Sequence, residues 1–342
     1  MRLIIYLARL IFIALSFFLF TIGCEDNNSK ESEILSIPME LTIERFDKKF
    51  HLASEDDIPE LKKTYPFLFP EKFDDSVWIK RQKDSLQLLL LDNVEQKFTS
   101  MAPLEDDLEY LLKHLKDYFP RTPTPRVIGV INNVDYQSKT IYTDSLLLIS
   151  LDTYLGTDHY LYEGIPQYVR QEMDDKYMAS HVAGKFAANK IPPTKDRSLL
   201  SQMIYFGKQV YFKEWVLPQS SDAQKMGYTD EQIQWVIDNE VYIWQYFVQK
   251  QLLYNTNPSL SQRFIEPAPF SKFYLEIDNE SPGRVGVWMG WQIIKSYMNR
   301  YPDTEISALL NLPAQTLFSK SNYKPKKNGQ ENKSNKHRGN GR

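Results

Sequence analysis

Two hydrophobic periods divide this chain. Up to residue 151, short alternating or solidly apolar runs sit between helical ones, and from residue 163 onward only the helical period remains. Residues 39–46 (MELTIERF) alternate and read as a strand, as do 126–131 (RVIGVI), 140–143 and 146–151 (LLLISL), with Asn132 and Asn133 as turn residues. Between them, residues 55–64 predict a short helix that stops at Tyr65, because the position before a proline disfavours helix. Residues 76–101 predict one long helix around the apolar block 88–91. Residues 105–119 predict an amphipathic helix with Leu108, Leu111, Leu112, Leu115 and Phe119 on one face. Glu105, Asp106 and Asp107 suit the positive end of its dipole. Strands early and helices alone afterwards make an α+β layout: a small N-terminal sheet with helices, then an all-helical C-terminal half.

The helical half has its own organisation. Residues 177–190 and 198–215 read as two helices joined by a Pro192–Pro193 turn. In the second, Leu200, Met203, Ile204, Gly207, Val210 and Tyr211 form one face, and Gly207 would let a neighbouring backbone come close. Residues 229–253 open with Thr229 and Gln232, the spacing of a capping box. The aromatic residues Trp235, Tyr242, Trp244, Tyr246 and Phe247 then place that helix between neighbours. Ser281 followed by Pro282 predicts a helix start, and Gly286 and Gly290 four residues apart allow close packing. These glycines make no phosphate loop, since no strand leads into them. Arg284, Gln292 and Lys295 rule out a membrane dimer motif.

Composition and charge add the two ends. Arg2 and Arg9 precede an apolar run over residues 10–20, then Thr21-Ile22-Gly23-Cys24. This is a secretory leader, residues 1–23, with Cys24 as the acylated N-terminus after cleavage. The run is shorter than the roughly 20 residues of a bilayer span. Several acyl chains on one Cys anchor stably, each buried CH2 adding about 0.8 kcal/mol. Cys24 is the single cysteine, so no intrachain disulfide forms. Residues 24–37 read as a polar tether with a flexible reach of about 20 Å, residues 38–320 as one α+β domain, and residues 321–342 as a disordered basic tail. The chain carries −3 in all. Removing Arg2 and Arg9 leaves −5, and setting aside the whole segment from Lys320 onward, Glu331 included, leaves a body at −12. An acidic body argues against nucleic acid as a partner.

Candidate chemistry is sparse. Asp152, Asp158, His159 and Glu163 cluster in sequence and would suit a metal only if the fold gathered them. His114, beside an apolar helix face, reads as surface or satisfied core. The helices 177–190 and 198–215 resemble the pair that carries H-E-x-x-H and a third, acidic ligand in zincin metalloproteases. Laid on that pattern, His181 holds the first ligand position, Val182 the general base, Lys185 the second ligand and Phe206 the third. A zinc site needs about three neutral or anionic ligands and a carboxylate to activate water. The expectation is therefore a degenerate zincin-like scaffold with no metal, no cofactor and no catalytic residue. The loop carrying Glu276, Asp278, Glu280 and Arg284 crowds charge around Pro282 and Gly283 and is the candidate partner-facing surface.

Four stretches carry a wider resemblance: LDTYLGTDHYLYEGIPQYV (151–169), QVYFKEWVLP (209–218), NEVYIWQYF (239–247) and PAPFSKFYLEIDNESPGRVGVWMGWQIIKSYM (267–298). With the leader cysteine, they make the chain resemble the gliding motility lipoprotein GldB family over about 39–325. The resemblance implies a lipoprotein of the cell envelope with its body in the periplasm. It implies a role in gliding alongside other gliding lipoproteins and the type IX secretion machinery, and it carries over only Cys24 as a site. The stretch GRVGVWMGWQIIKSYM also looks like the end of a zinc-peptidase family. Two function classes follow: a non-enzymatic envelope component that binds partners, or a hydrolase on a zincin-like scaffold with an atypical site near His159 and His181. The absence of the Glu and the second His favours the first.

Overall fold

A computed structural model describes residues 25–276 and 278–325. The strands form where the alternation predicts them, though shorter. β1 is Ile43–Arg45, β2 Arg126–Val130, β3 Thr140–Tyr142 and β4 Leu146–Ser150. They make one sheet in the order β1-β2-β4-β3, with β1, β2 and β4 parallel and β3 antiparallel to β4. Its side chains part by the period of two. Val127, Leu147 and Ile149 enter the main core, while Ile128, Leu146 and Leu148 face a second, aromatic cluster of Phe50, Tyr65, Phe69 and Trp78.

Fifteen α-helices lie among the described residues. α1 (Glu25–Leu35), α2 (Phe46–Leu52), α3 (Ile58–Thr64), α4 (Asp75–Gln82), α5 (Ser85–Lys97) and α6 (Ala102–Tyr118) belong to the sheet half. α7 (Gln167–Arg170), α8 (Met178–Lys190), α9 (Leu199–Val216), α10 (Asp222–Met226) and α11 (Asp230–Gln249) follow the sheet. α12 (Ser259–Phe264), α13 (Val285–Arg300), α14 (Ile306–Asn311) and α15 (Ala314–Ser321) complete the chain. The mixed α+β class and the helical second half stand as expected.

Four local expectations give way. The predicted helix 76–101 is two helices, because the Asp84 carboxylate accepts from the Leu86 and Gln87 amides at 3.0 and 3.1 Å and starts α5 afresh. The segment expected as a free polar tether is helical from Glu25 to Leu35 and docks on α6. There Tyr110 donates to Glu31 at 2.8 Å, Glu31 also meets His114 Nε2 at 3.0 Å, and Ile34 is buried. One buried apolar residue, the buried His114 and the half-buried Tyr110 outweigh a polar composition. Ser281 and Pro282 do not open α13, which starts at Val285 after Arg284 in the left-handed region (φ 64°). The buried Ser281 hydroxyl instead accepts from the Ser271 amide at 3.1 Å. The folded body also runs past residue 320: Tyr323 is buried and donates to Glu240 at 2.6 Å. The leader, Cys24 and most of the basic tail lie outside the described residues.

The helical half is assembled on the crossing of α9 and α13, its most extensively contacting pair. A Cβ on Gly207 would lie 2.5 Å from the Trp291 amide nitrogen, and one on Gly290 would overlap the Met203 carbonyl. The two backbones therefore touch, as the glycine spacing suggests.

A Gly290→Ala substitution should lower the unfolding free energy by about 3 kcal/mol or more, since the obstructing atoms are backbone and cannot rotate away. Gly184→Ala, in α8, is the contrast. Its Cβ would meet only the Lys213 chain at 3.7 Å, so it should hold or gain up to about 1 kcal/mol from helix propensity. Urea denaturation of the two variants beside the parent chain checks both, and a parental midpoint for Gly290→Ala would refute the backbone contact.

Candidate functional site

A cavity of about 990 Å³ opens where the residues before β3 meet α8, α9 and the approach to α13. Its walls include Lys139, Glu172, His181, Phe206, Lys213 and Arg284. Local chemistry brings each of them there. Asp174 accepts from the Lys176 amide and starts the turn into α8, which sets His181 on the cavity side of its first turns. Glu172, just before that turn, lies against Gly227, the left-handed residue that ends α10 (φ 74°). A Cβ at Gly227 would come within 2.6 Å of the Glu172 carboxylate, so glycine serves both the helix end and the acid beside it.

His181 stands in a directed hydrogen-bond chain. Tyr154, wholly buried, has its hydroxyl 2.9 Å from His181 Nδ1, and Glu172 Oε2 lies 2.8 Å from Nε2. Burial drives the Tyr154 pKa well above its ordinary value, so the phenol keeps its proton and donates. Nδ1 therefore accepts, and Nε2–H donates to Glu172. Burial lowers the His181 pKa to about 4 against the pull of the Glu172 carboxylate, with Lys139 lowering it further. Burial would raise Glu172, but the His181 bond and the charges of His181, Lys139 and Arg284 outweigh it and hold it well below the carboxylate range. At neutral pH the pair is thus a neutral imidazole on an ionised carboxylate.

The cations are organised by the end of a helix. The last carbonyls of an α-helix lack intrahelical partners and carry its negative pole. At the end of α10 each finds a side chain: Gln224 O accepts from Ser180 Oγ at 2.7 Å, Lys225 O from Lys213 Nζ at 2.9 Å, and Met226 O from an Arg284 guanidinium nitrogen at 2.9 Å. Lys213 also donates to Ser180 Oγ at 2.9 Å. Burial, then the nearby Arg284 charge, lowers the Lys213 pKa to about 7, with Glu172 opposing. Lys139 is different. Burial lowers its pKa too, and Glu172 acts on it only through space. Among the described residues its ammonium has no hydrogen-bond or ion-pair partner.

The residues singled out from sequence fare unevenly. His181, Lys185 and Phe206 line this one cavity, whereas Val182 is buried outside its walls. The group Asp152, Asp158, His159 and Glu163 is not gathered. Asp152 is fully buried and accepts from the Val134 amide at 2.7 Å and the Asn132 amide at 3.2 Å, His159 Nδ1 accepts from the Leu161 amide, and Asp158 and Glu163 are exposed. His114 is satisfied core, bonded to Tyr110 O and Glu31. The charged loop is divided as well. Glu276 and Glu280 are exposed, Asp278 spends its carboxylate on the Tyr274 and Leu275 amides, and Arg284 turns inward to the cavity. Sequence reasoning missed Tyr154, Glu172, Lys139 and Lys213. Only Lys213 left a trace, as a lysine close to an apolar helix face.

Residues 27–325 match the family model described as gliding motility protein GldB, and the chain belongs to that family, a family of gliding motility lipoproteins of the cell envelope. No curated protein and no solved structure matches it. Among the described residues no helix is long and apolar enough to cross a membrane.

The His181–Glu172 pair sets a pH dependence of stability. Unfolded, the imidazole titrates at its ordinary 6.5, and folded at about 4. Between those values the unfolded chain binds the extra proton, so stability falls as the pH is lowered from about 6.5 to 4. Glu172, lowered from 4.5, adds a loss that begins below that value. His181→Gln should keep one donor for Glu172 and flatten the urea midpoint between pH 6.5 and 4.5. Parallel curves for variant and parent would mean that the folded histidine takes its proton freely.

Proposed function

We propose that this GldB-family chain is a lipid-anchored, non-enzymatic part of the gliding apparatus, held at its membrane through acylated Cys24 and acting by binding other proteins. The observation that carries this is the family match over residues 27–325, which begins just after Cys24 and the apolar, leader-like stretch that precedes it. The helix Glu25–Leu35 docked on the body supports it further, since it keeps the folded part close to the anchoring residue. Its partners are other gliding lipoproteins or components of the type IX secretion machinery, met in the periplasm.

The reading of a zincin-like scaffold that has lost its chemistry has support in the cavity. His181, Lys185 and Phe206, the positions that the zincin sequence pattern would give to ligands, line one cavity. Both ring nitrogens of His181 already hold partners, and an ammonium and a phenyl ring offer nothing to a divalent ion. A hydrolase would need a water-activating carboxylate where Val182 is, and Glu172 is committed to His181. For the partner-facing surface, exposed Glu276 and Glu280 remain suited, with Asp278 holding the loop's shape and Arg284 withdrawn from it.

Metabolic labelling with a fatty-acid analogue tests the anchor. Cys24→Ser should lose the label, leave the membrane fraction and abolish gliding, because no other residue can form the thioether. Equal labelling of the variant and the parent chain would sink the proposal.

A further inference from the structure

The cavity beside His181 holds more positive charge than its own carboxylates answer. Lys139, Lys213 and Arg284 surround one interior acid, Glu172, whose Oε2 is taken up by His181 at 2.8 Å. The lining also holds exposed Lys185 and exposed Glu266, one charge of each sign, which leave the net count unchanged. Charge removed from water costs free energy unless it is paired, and a cleft lined by one sign concentrates ions of the other. Lys213 and Arg284 have a structural duty at the end of α10, but neither is exhausted by it. The ammonium has three N–H groups and spends two, and the guanidinium has five and spends one. Among the described residues the Lys139 ammonium has no such duty and spends none, with Glu172 acting on it only through space.

We infer that this cavity binds a small anionic ligand, its carboxylate or phosphate oxygens held by Lys139 together with the unspent donors of Lys213 and Arg284. The volume is at the upper end of what ligand pockets offer, and the site combines the two features such pockets share: apolar walls and a few convergent polar groups. Val169, Phe206 and Ile265 supply the apolar part, and Gln202 and Gln209 on α9 supply amides for a polar backbone or ring. Binding there needs no catalytic step. Glu172 orients His181 through the Nε2–H bond, burial keeps the imidazole neutral against that carboxylate, and a single interior acid leaves the cations in excess.

The test uses the full-length protein purified in detergent, with inorganic phosphate and succinate as separate probes and chloride at equal ionic strength as the control. At least one probe should raise the melting temperature saturably by a few degrees beyond chloride, as mass action requires of a ligand that binds only the folded state. Lys139→Gln should weaken that binding by tenfold or more, while Glu266→Gln should keep it or tighten it. A response to phosphate alone assigns a phosphate-bearing ligand, and a response to succinate alone a carboxylate-bearing one. Lys139 is only half-buried, and among the described residues its ammonium makes no bond that the fold would lose, so a folded variant is expected, and its melting point without probe confirms it. The inference fails if neither probe exceeds chloride, or if Lys139→Gln responds like the parent chain.

Discussion

The backbone contact between Gly207 and Gly290 is the constraint on which the helical half depends. Without side chains at those two positions, α9 and α13 approach until main-chain atoms meet. What each helix carries at a distance from the crossing is then fixed in place. Lys213 follows Gly207 by six residues, and Arg284 precedes Gly290 by six, each about 9 Å along the chain at helical rise. Both reach the end of α10 and donate to successive carbonyls. A wider crossing would part these two cations from the one helix terminus that stabilises them, so the cavity's charge is a consequence of the glycine pair.

Much of this architecture was legible in the sequence because hydrophobic period records burial directly. The faces of α6 and α9, the strand alternation and the Thr229–Gln232 capping box are all one-dimensional signals, and each appears where it was read. The glycines were legible for a different reason: a residue without a side chain at the centre of an apolar face has few other uses. What escaped was the product of long-range pairing. Nothing in the residues around Glu31 announces that Tyr110 and His114 will bury against it, because those partners lie 79 and 83 residues away. Asp84 was passed over because a single cap inside an apolar stretch looks like an ordinary surface acid. Ser281 and Pro282 carry a helix-start signal, and a tertiary bond to Ser271 overrode it.

The site divides in the same way. His181, Lys185 and Phe206 were named together from spacing along two helices, and they do share a cavity. Tyr154 and Glu172 were invisible, since the bonds they make to His181 span 27 and 9 residues across irregular backbone. The charged loop was misjudged as a unit because charge in sequence says nothing about direction. Arg284, in the left-handed conformation, aims away from the acids that precede it.

The hydrogen bonds of His181 also decide what the cavity can and cannot be. In metal sites a ligating imidazole gives one nitrogen to the ion and the N–H of the other to a carboxylate. Here the carboxylate has the N–H and a buried phenol has the lone pair, so an ion would have to displace the Tyr154 hydroxyl and cost this buried residue its bond to His181. The cationic role that a metal would play beside Glu172 is filled by Lys139, Lys213 and Arg284, which act on it through space. A carboxylate that has already attracted three cations needs no further one. The electrostatic demand left in the cavity has the opposite sign, and that excess of positive charge is the ground for the anionic ligand proposed for it.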